Sequence, residues 1–241
     1  MLFGCFNSPV MIMVRDNLAH IQETIARSAR KAGRNPREIK LVAVSKTVDI
    51  ELIAEAVQAG QTLFGENYIQ EAADKMTRLP PSLKWHFIGR LQSNKARQAA
   101  ELFEVIETVD RWKVAAALDS HARLLGKTLS ILLQVNIGRE PQKSGVLPEA
   151  AETLLRKISG ETSLRVFGLM TMPPYSPDPE QSRPLFSALR QLAEQLASRG
   201  LFADNAAVEL SMGMSNDYAV AIEEGATLVR VGSALFGSRQ V

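Results

Sequence analysis

Lys46 closes residues 40–46 (KLVAVSK), an apolar run that ends on one amine and is followed at once by the polar Thr47 and Asp49. A lysine at the carboxyl end of a buried strand is partly desolvated. That favours the neutral amine, the form able to condense with a carbonyl. The plainer reading of a lone VSK tripeptide is a solvated lysine capping a strand. Two other strand ends weigh against it: residues 211–215 (SMGMS) and 230–233 (RVGS) offer backbone N–H groups, hydroxyls and a guanidinium. Together the three segments suit a phosphorylated aldehyde.

Ser215, Asn216 and Asp217 open a helical segment, where unpaired N–H groups and the helix dipole favour an anion. Ser215 reads equally well as a simple N-cap. Gly232 and Ser233, after the last strand, form the other half of a phosphate cup, because the loops after the last two strands of many barrels bind phosphate. Arg230 lies inside a short strand and needs a partner, since titration cannot remove its charge. A ligand ring nitrogen would serve, and so would a carboxylate such as Glu209. His86, beside Trp85, is either a core histidine or a base. Three scattered histidines and one cysteine make no zinc pattern, so no metal is expected. No GxSxG, P-loop or dinucleotide fingerprint occurs.

The elements that must position these residues alternate. Apolar runs at 41–44, 62–64, 85–88 and 105–109 each precede a helical segment, at 50–59, 68–76, 94–101 and 112–125. The second half repeats the pattern, with runs at 129–135, 164–170, 208–210 and 228–231. Helical segments follow the first three of these, at 148–158, 180–197 and 217–224, and only a short tail follows the last. Eight strand–helix steps in one chain predict a single-domain α/β structure, a closed (β/α)8 TIM barrel, with a doubly wound open sheet as the alternative. The last helix is nearly missing. An additional N-terminal helix over 14–32, with Leu18, Ile21, Ile25 and Ala29 on one face, is expected to cover that part of the wall. Residues 173–179 (PPYSPDP) read as a rigid turn before a helix.

Composition bounds the function. Hydrophobic content of 46% and charged content of 22% over 241 residues are ordinary for a globular protein. Lys+Arg 28 against Asp+Glu 26 gives +2, too balanced to argue for nucleic acid. Cys5 is the single cysteine and cannot form an internal disulfide, so a reducing, cytoplasmic setting fits. No stretch reads as a membrane span. Residues 1–13 are apolar but lack the basic region and cleavage site of a signal peptide. They are expected to be a disordered extension to a domain over 14–241.

With these residues in view, the chain strongly resembles the pyridoxal phosphate homeostasis protein family. The matching motifs are VAVSKT (42–47), FGENYIQE (64–71), WHFIGRLQSNK (85–95), KSG (143–145), GLMTM (168–172), LSMGMSND (210–217) and LVRVGSALFG (228–237). They span most of the chain in the family's order. The resemblance implies a barrel like the N-terminal domain of fold-type III alanine racemases, with pyridoxal 5′-phosphate carried on Lys46 as a Schiff base. It implies further that Ser211, Gly232 and Ser233 hold the phosphate, that Arg230 faces the pyridine nitrogen, and that Asn67 touches the ring. Arg90 stands where many relatives have another residue, often proline.

An arginine opposite the pyridine nitrogen disfavours its protonation, which weakens the cofactor as an electron sink. Racemases of this type use a lysine and a tyrosine from a second domain. This chain ends at Val241, just past its last strand, and Tyr68, Tyr175 and Tyr218 match no such motif. No catalytic residue is therefore assigned. The expected function is that of a monomeric cytoplasmic protein that takes up, holds and releases the cofactor. It would influence amino- and keto-acid balance, with pyridoxal phosphate-dependent apoenzymes as partners. Two other readings stay open: a fold-type III amino-acid racemase or other pyridoxal phosphate enzyme, and a Schiff-base aldolase acting on a sugar phosphate.

Overall fold

The computed structural model describes residues 14–237. The extension expected over 1–13 lies outside the described residues.

Eight parallel strands close into a barrel in sequence order. They are β1 Lys40–Val44, β2 Leu63–Glu66, β3 Lys84–Phe87, β4 Val105–Val109, β5 Ser130–Gln134, β6 Arg165–Met170, β7 Glu209–Ser211 and β8 Leu228–Val231. The first and last strands pair directly, Lys40 opposite Leu228 through Ala43 opposite Val231, so the open-sheet alternative is excluded. The helices are α1 Val14–Lys31, α2 Ile50–Gln58, α3 Ile69–Arg78, α4 Ala96–Leu102, α5 Trp112–Leu124, α6 Pro148–Glu161, α7 Arg183–Ser198, α8 Tyr218–Glu223 and α9 Ser233–Phe236. Two helices, α4 and α7, start more than one residue later than the sequence predicts. A 3-10 turn at Ser93–Lys95 precedes α4, and another at Pro179–Ser182 precedes α7, where Asp178 caps the turn by accepting from the Glu180 N–H.

As expected, α9 is a single turn, and α1 covers the wall beside it. α1 presents Leu18, Ile21, Ile25 and Ala29 inward and packs against α2, α8 and α9. Asn17 donates to the Leu235 carbonyl at 2.9 Å, Lys31 pairs with Glu223 at 2.7 Å, and Arg34 donates to the carbonyls of Ile222 and Ala226.

The main apolar core lies between sheet and helices, while Val42, Leu132, Met170 and Leu228 form a separate buried cluster inside the barrel. Side chains two apart along a strand share a face. The period that puts Val42 inside therefore carries Val44 and then Lys46 up the same side. On β8 it carries Leu228, Arg230 and then Gly232. The barrel is thus apolar low down, polar at mid-height and open at the carboxyl ends of the strands, where barrel sites are built.

Candidate functional site

Five of the six residues singled out above, Lys46, Asn67, Arg230, Gly232 and Ser233, line one cavity of about 750 Å³ at those carboxyl ends. Lys46 is half-buried in the turn that follows β1. The next residue, Thr47, has φ 59°, a left-handed conformation that is unusual for a β-branched side chain. Among the contacts that hold this turn, the Val48 N–H donates to the Ser45 carbonyl at 3.0 Å, the Thr47 hydroxyl donates to the Lys46 carbonyl at 2.7 Å, and the Thr47 N–H donates to Glu71 Oε1 at 2.5 Å.

The opposite side of the cavity is built from the loops after β7 and β8. The Ser215 hydroxyl accepts from the N–H groups of Gly232 and Ala234, each at 3.3 Å, so hydroxyl and amide donors converge on one spot. Asp217 ties the first loop together by accepting from the Met214 N–H at 2.7 Å and from the Ser182 hydroxyl at 3.0 Å. Gly213 has φ +89°, and a Cβ there would sit 2.5 Å from that of Ala221, so only glycine fits the bend. At Gly232 a Cβ would press on Val44 at 3.3 Å, which lets the α9 end of the loop approach β1 closely.

Ser211 is the exception. It is fully buried, absent from the cavity wall, and its hydroxyl donates to Glu107 Oε2 at 2.5 Å and accepts from Arg230 Nη1. The structure therefore does not bring Ser211 to the cavity wall, where the resemblance expects it to hold phosphate. As the last residue of the short strand β7, it stays at the level of the polar layer, and the hydroxyl that reaches the cavity is Ser215, four residues on.

That polar layer runs across the barrel. His86 Nδ1 lies 2.6 Å from Glu107 Oε1, and Arg230 Nη1 lies 4.0 Å from Glu107 Oε2. Arg230 Nη2 donates to the Thr171 carbonyl at 2.7 Å. Burial by itself pushes the Glu107 carboxyl up. His86, Arg230 and Ser211 together outweigh burial and hold it below its ordinary value. Burial pulls Arg230 down, against the opposing pull of Glu107 and Asp217. Glu209, the carboxylate weighed above for Arg230, sits two residues lower on β7 and pairs with Lys40 instead. Glu107 was missed in the sequence. Its signal is one acid inside the apolar run 105–109, in a chain that also places an arginine inside another strand.

Arg90 is exposed at the cavity rim. Tyr175, from the loop after β6, also lines the cavity; it is 78% exposed, and among the described residues no hydrogen bond holds its hydroxyl. Among the described residues no helix is long and apolar enough to cross a membrane, and no group of three His, Cys, Asp or Glu side chains could hold a metal ion.

Fold and cavity define a class. Residues 17–240 match the family model of the alanine racemase N-terminal domain. Alanine racemase from Corynebacterium glutamicum superposes with a TM-score of 0.71 at 17% identity, over 93% of this chain and 62% of that one, a likeness of fold alone. Closer relatives narrow the class. The chain is 42% identical to the pyridoxal phosphate homeostasis protein of Vibrio cholerae, over 95% of this chain and 98% of that protein. PipY of Synechococcus elongatus, solved with pyridoxal phosphate bound, superposes with a TM-score of 0.81 at 37% identity, over 93% of this chain and all of PipY. The chain belongs to the pyridoxal phosphate homeostasis protein family.

Proposed function

We propose that this protein binds pyridoxal 5′-phosphate in the cavity at the carboxyl ends of the strands, holds it covalently on Lys46, and releases it to other proteins. The observation that carries this reading is the placement of an amine, Lys46, and an amide–hydroxyl cup, Ser215 with Gly232 and Ser233, on the wall of one cavity. A relative with the same fold was solved with the cofactor bound, which supports it.

The residues suit the group. The cup supplies donors for a phosphate dianion from the Ser215 and Ser233 hydroxyls and from the N–H groups at the start of α9, while those of Leu235 and Phe236 donate to the Gly232 carbonyl. Arg230 brings a fixed positive charge to the cavity, held from behind by Ser211 and Thr171. Bound there, the cofactor supplies an aldehyde that condenses reversibly with an amine: the C–N bond forms, the aldehyde oxygen leaves as water, and hydrolysis reverses the exchange. Lys46 provides the amine, the cup retains the phosphate through both directions of that exchange, and the open mouth of the barrel lets the ligand leave.

We propose further that the protein is not an enzyme and acts as a monomer in the cytoplasm. A guanidinium facing the ring nitrogen disfavours its protonation and weakens the electron sink that carbanion chemistry needs. Tyr175 is the tyrosine on the cavity wall, but its exposed hydroxyl is held by nothing among the described residues, a poor arrangement for a second acid–base group. The test is to mix protein loaded with the cofactor with a pyridoxal phosphate-dependent apoenzyme and follow that enzyme's activation. Transfer without turnover of amino acids by the loaded protein supports the reading. Steady racemisation of an amino acid by the purified protein would overturn it.

A further inference from the structure

Lys75 on α3 is a buried lysine that lies outside the cavity wall, and its ammonium has three acceptors. It donates to the Ser45 carbonyl at 2.6 Å, to Glu66 Oε1 at 2.8 Å and to Glu71 Oε1 at 2.6 Å. An ammonium has three donors, so all are used. Directly or through these two glutamates, Lys75 is tied to the residues on both sides of Lys46. Ser45, the residue before it, is gripped at its carbonyl by Lys75 and at its hydroxyl by Glu66, 2.7 Å away. Thr47, the residue after it, is held through the Glu71 oxygen that also accepts from Lys75. Neither Glu66, Glu71 nor Lys75 lines the cavity, so any effect they have on a ligand passes through the turn.

Thr47 gives that arrangement a purpose. A β-branched residue at φ 59° leaves this conformation unless its surroundings impose it. The Val48 N–H closes the turn by donating to the Ser45 carbonyl at 3.0 Å, and the Thr47 N–H bond to Glu71, which Lys75 fixes, holds Thr47 within it. We infer that Lys75 is a positioning residue for Lys46: a single buried ammonium, acting through Ser45 on one side and Glu71 on the other, holds the strained turn that aims the amine into the cavity. This rests on the reading that Lys46 bonds covalently to the cofactor aldehyde.

The test compares wild type with Lys75→Met, which keeps a similar length and removes the charge. Two ligands separate positioning from general structure: pyridoxal phosphate, which needs the amine, and pyridoxine phosphate, which has an alcohol in place of the aldehyde. In Lys75→Met, imine formation followed by absorbance should slow by at least about tenfold, the scale set by misplacing a reacting group. Affinity for pyridoxine phosphate should stay within about twofold of wild type, because the phosphate cup is untouched. In the ligand-free protein the Thr47 amide should exchange with solvent faster than in wild type. Thr47→Gly in the same background should recover most of the imine rate, since glycine adopts this φ without help.

If Lys75→Met fails to fold, Glu71→Ala removes the Thr47 acceptor while Glu66 still pairs with the ammonium. It should show a smaller slowing that Thr47→Gly again rescues. An unchanged imine rate in the folded variant overturns the inference, as does equal loss of both ligands with no rescue by glycine. A wild type that forms no imine at all would instead overturn the proposed function.

Discussion

The hydroxyl of Ser211 on β7 donates to Glu107 on β4, 2.5 Å away across the inside of the barrel. Ser211 therefore belongs to the scaffold under the cavity, and Ser215 to its wall. The two serines should behave differently. Ser211→Ala removes a buried bridge between a carboxylate and a guanidinium and should cost about 1–3 kcal/mol of stability in urea unfolding. Any change in affinity should be the same for pyridoxal phosphate and for pyridoxal. Ser215→Ala should weaken pyridoxal phosphate by about 1.5–3 kcal/mol, the range for a bond to a charged acceptor, and leave pyridoxal unchanged. Equilibrium dialysis with both ligands decides the matter, and equal weakening in Ser215→Ala would remove Ser215 from the phosphate cup.

Glu107 should shape the acid limb of stability. Its carboxyl is held below the ordinary value of 4.5 in the folded protein, so the unfolded chain binds the extra proton as pH falls through that region. The contribution is complete above about pH 4.5 and is lost on acidification through the depressed folded value. Glu107→Gln should be less stable than wild type at neutral pH, and the gap should narrow steadily below pH 4.5. Thermal unfolding from pH 7 to pH 3 measures it. A gap that stays constant or widens on acidification would show that Glu107 is not ionised and paired in the folded state.

Arg230 should act as the brake on carbanion chemistry. Glutamate at this position would face Glu107, so Arg230→Gln is the cleaner change. The change removes one of the two basic groups facing Glu107 and leaves His86, 2.6 Å away, so some stability should be lost and folding is checked first. The folded, cofactor-loaded variant should incorporate deuterium at the α-carbon of L-alanine faster than wild type. Equal exchange in the two proteins would mean that Arg230 does not restrain the cofactor, and would reopen the enzyme reading.

Much of this was legible in the sequence because barrels repeat. Apolar runs and helical periods recur eight times, and the ends of those runs point to the cavity, so Lys46, Asn67, Arg230, Gly232 and Ser233 could be placed on its wall. What failed depends on height within the barrel. Ser211 and Ser215 lie in one SMGMS segment, and nothing local says which of them clears the end of a three-residue strand. Glu209 and Arg230 both sit on interior strands, yet their levels differ, and Glu107 from a distant strand is the one that approaches Arg230. The Glu71–Lys75 pair has the spacing of an ordinary exposed helix ion pair. Its burial under the Lys46 turn arises only when α3 packs against the barrel beside β1 and β2. Helix starts at 96 and 183 shifted because 3-10 turns take up the preceding residues.

The most direct measurement is the absorbance spectrum of the protein mixed with pyridoxal phosphate, followed by borohydride reduction and peptide mapping, for wild type and Lys46→Ala. Wild type should show an imine band that reduction abolishes, with the reduced adduct on the peptide containing Lys46. Lys46→Ala should lack the band yet still bind the cofactor reversibly and more weakly, through the Ser215–Gly232–Ser233 cup. A borohydride-stable adduct in Lys46→Ala at the wild-type level, or a wild-type adduct that maps to another lysine, would contradict the assignment of Lys46.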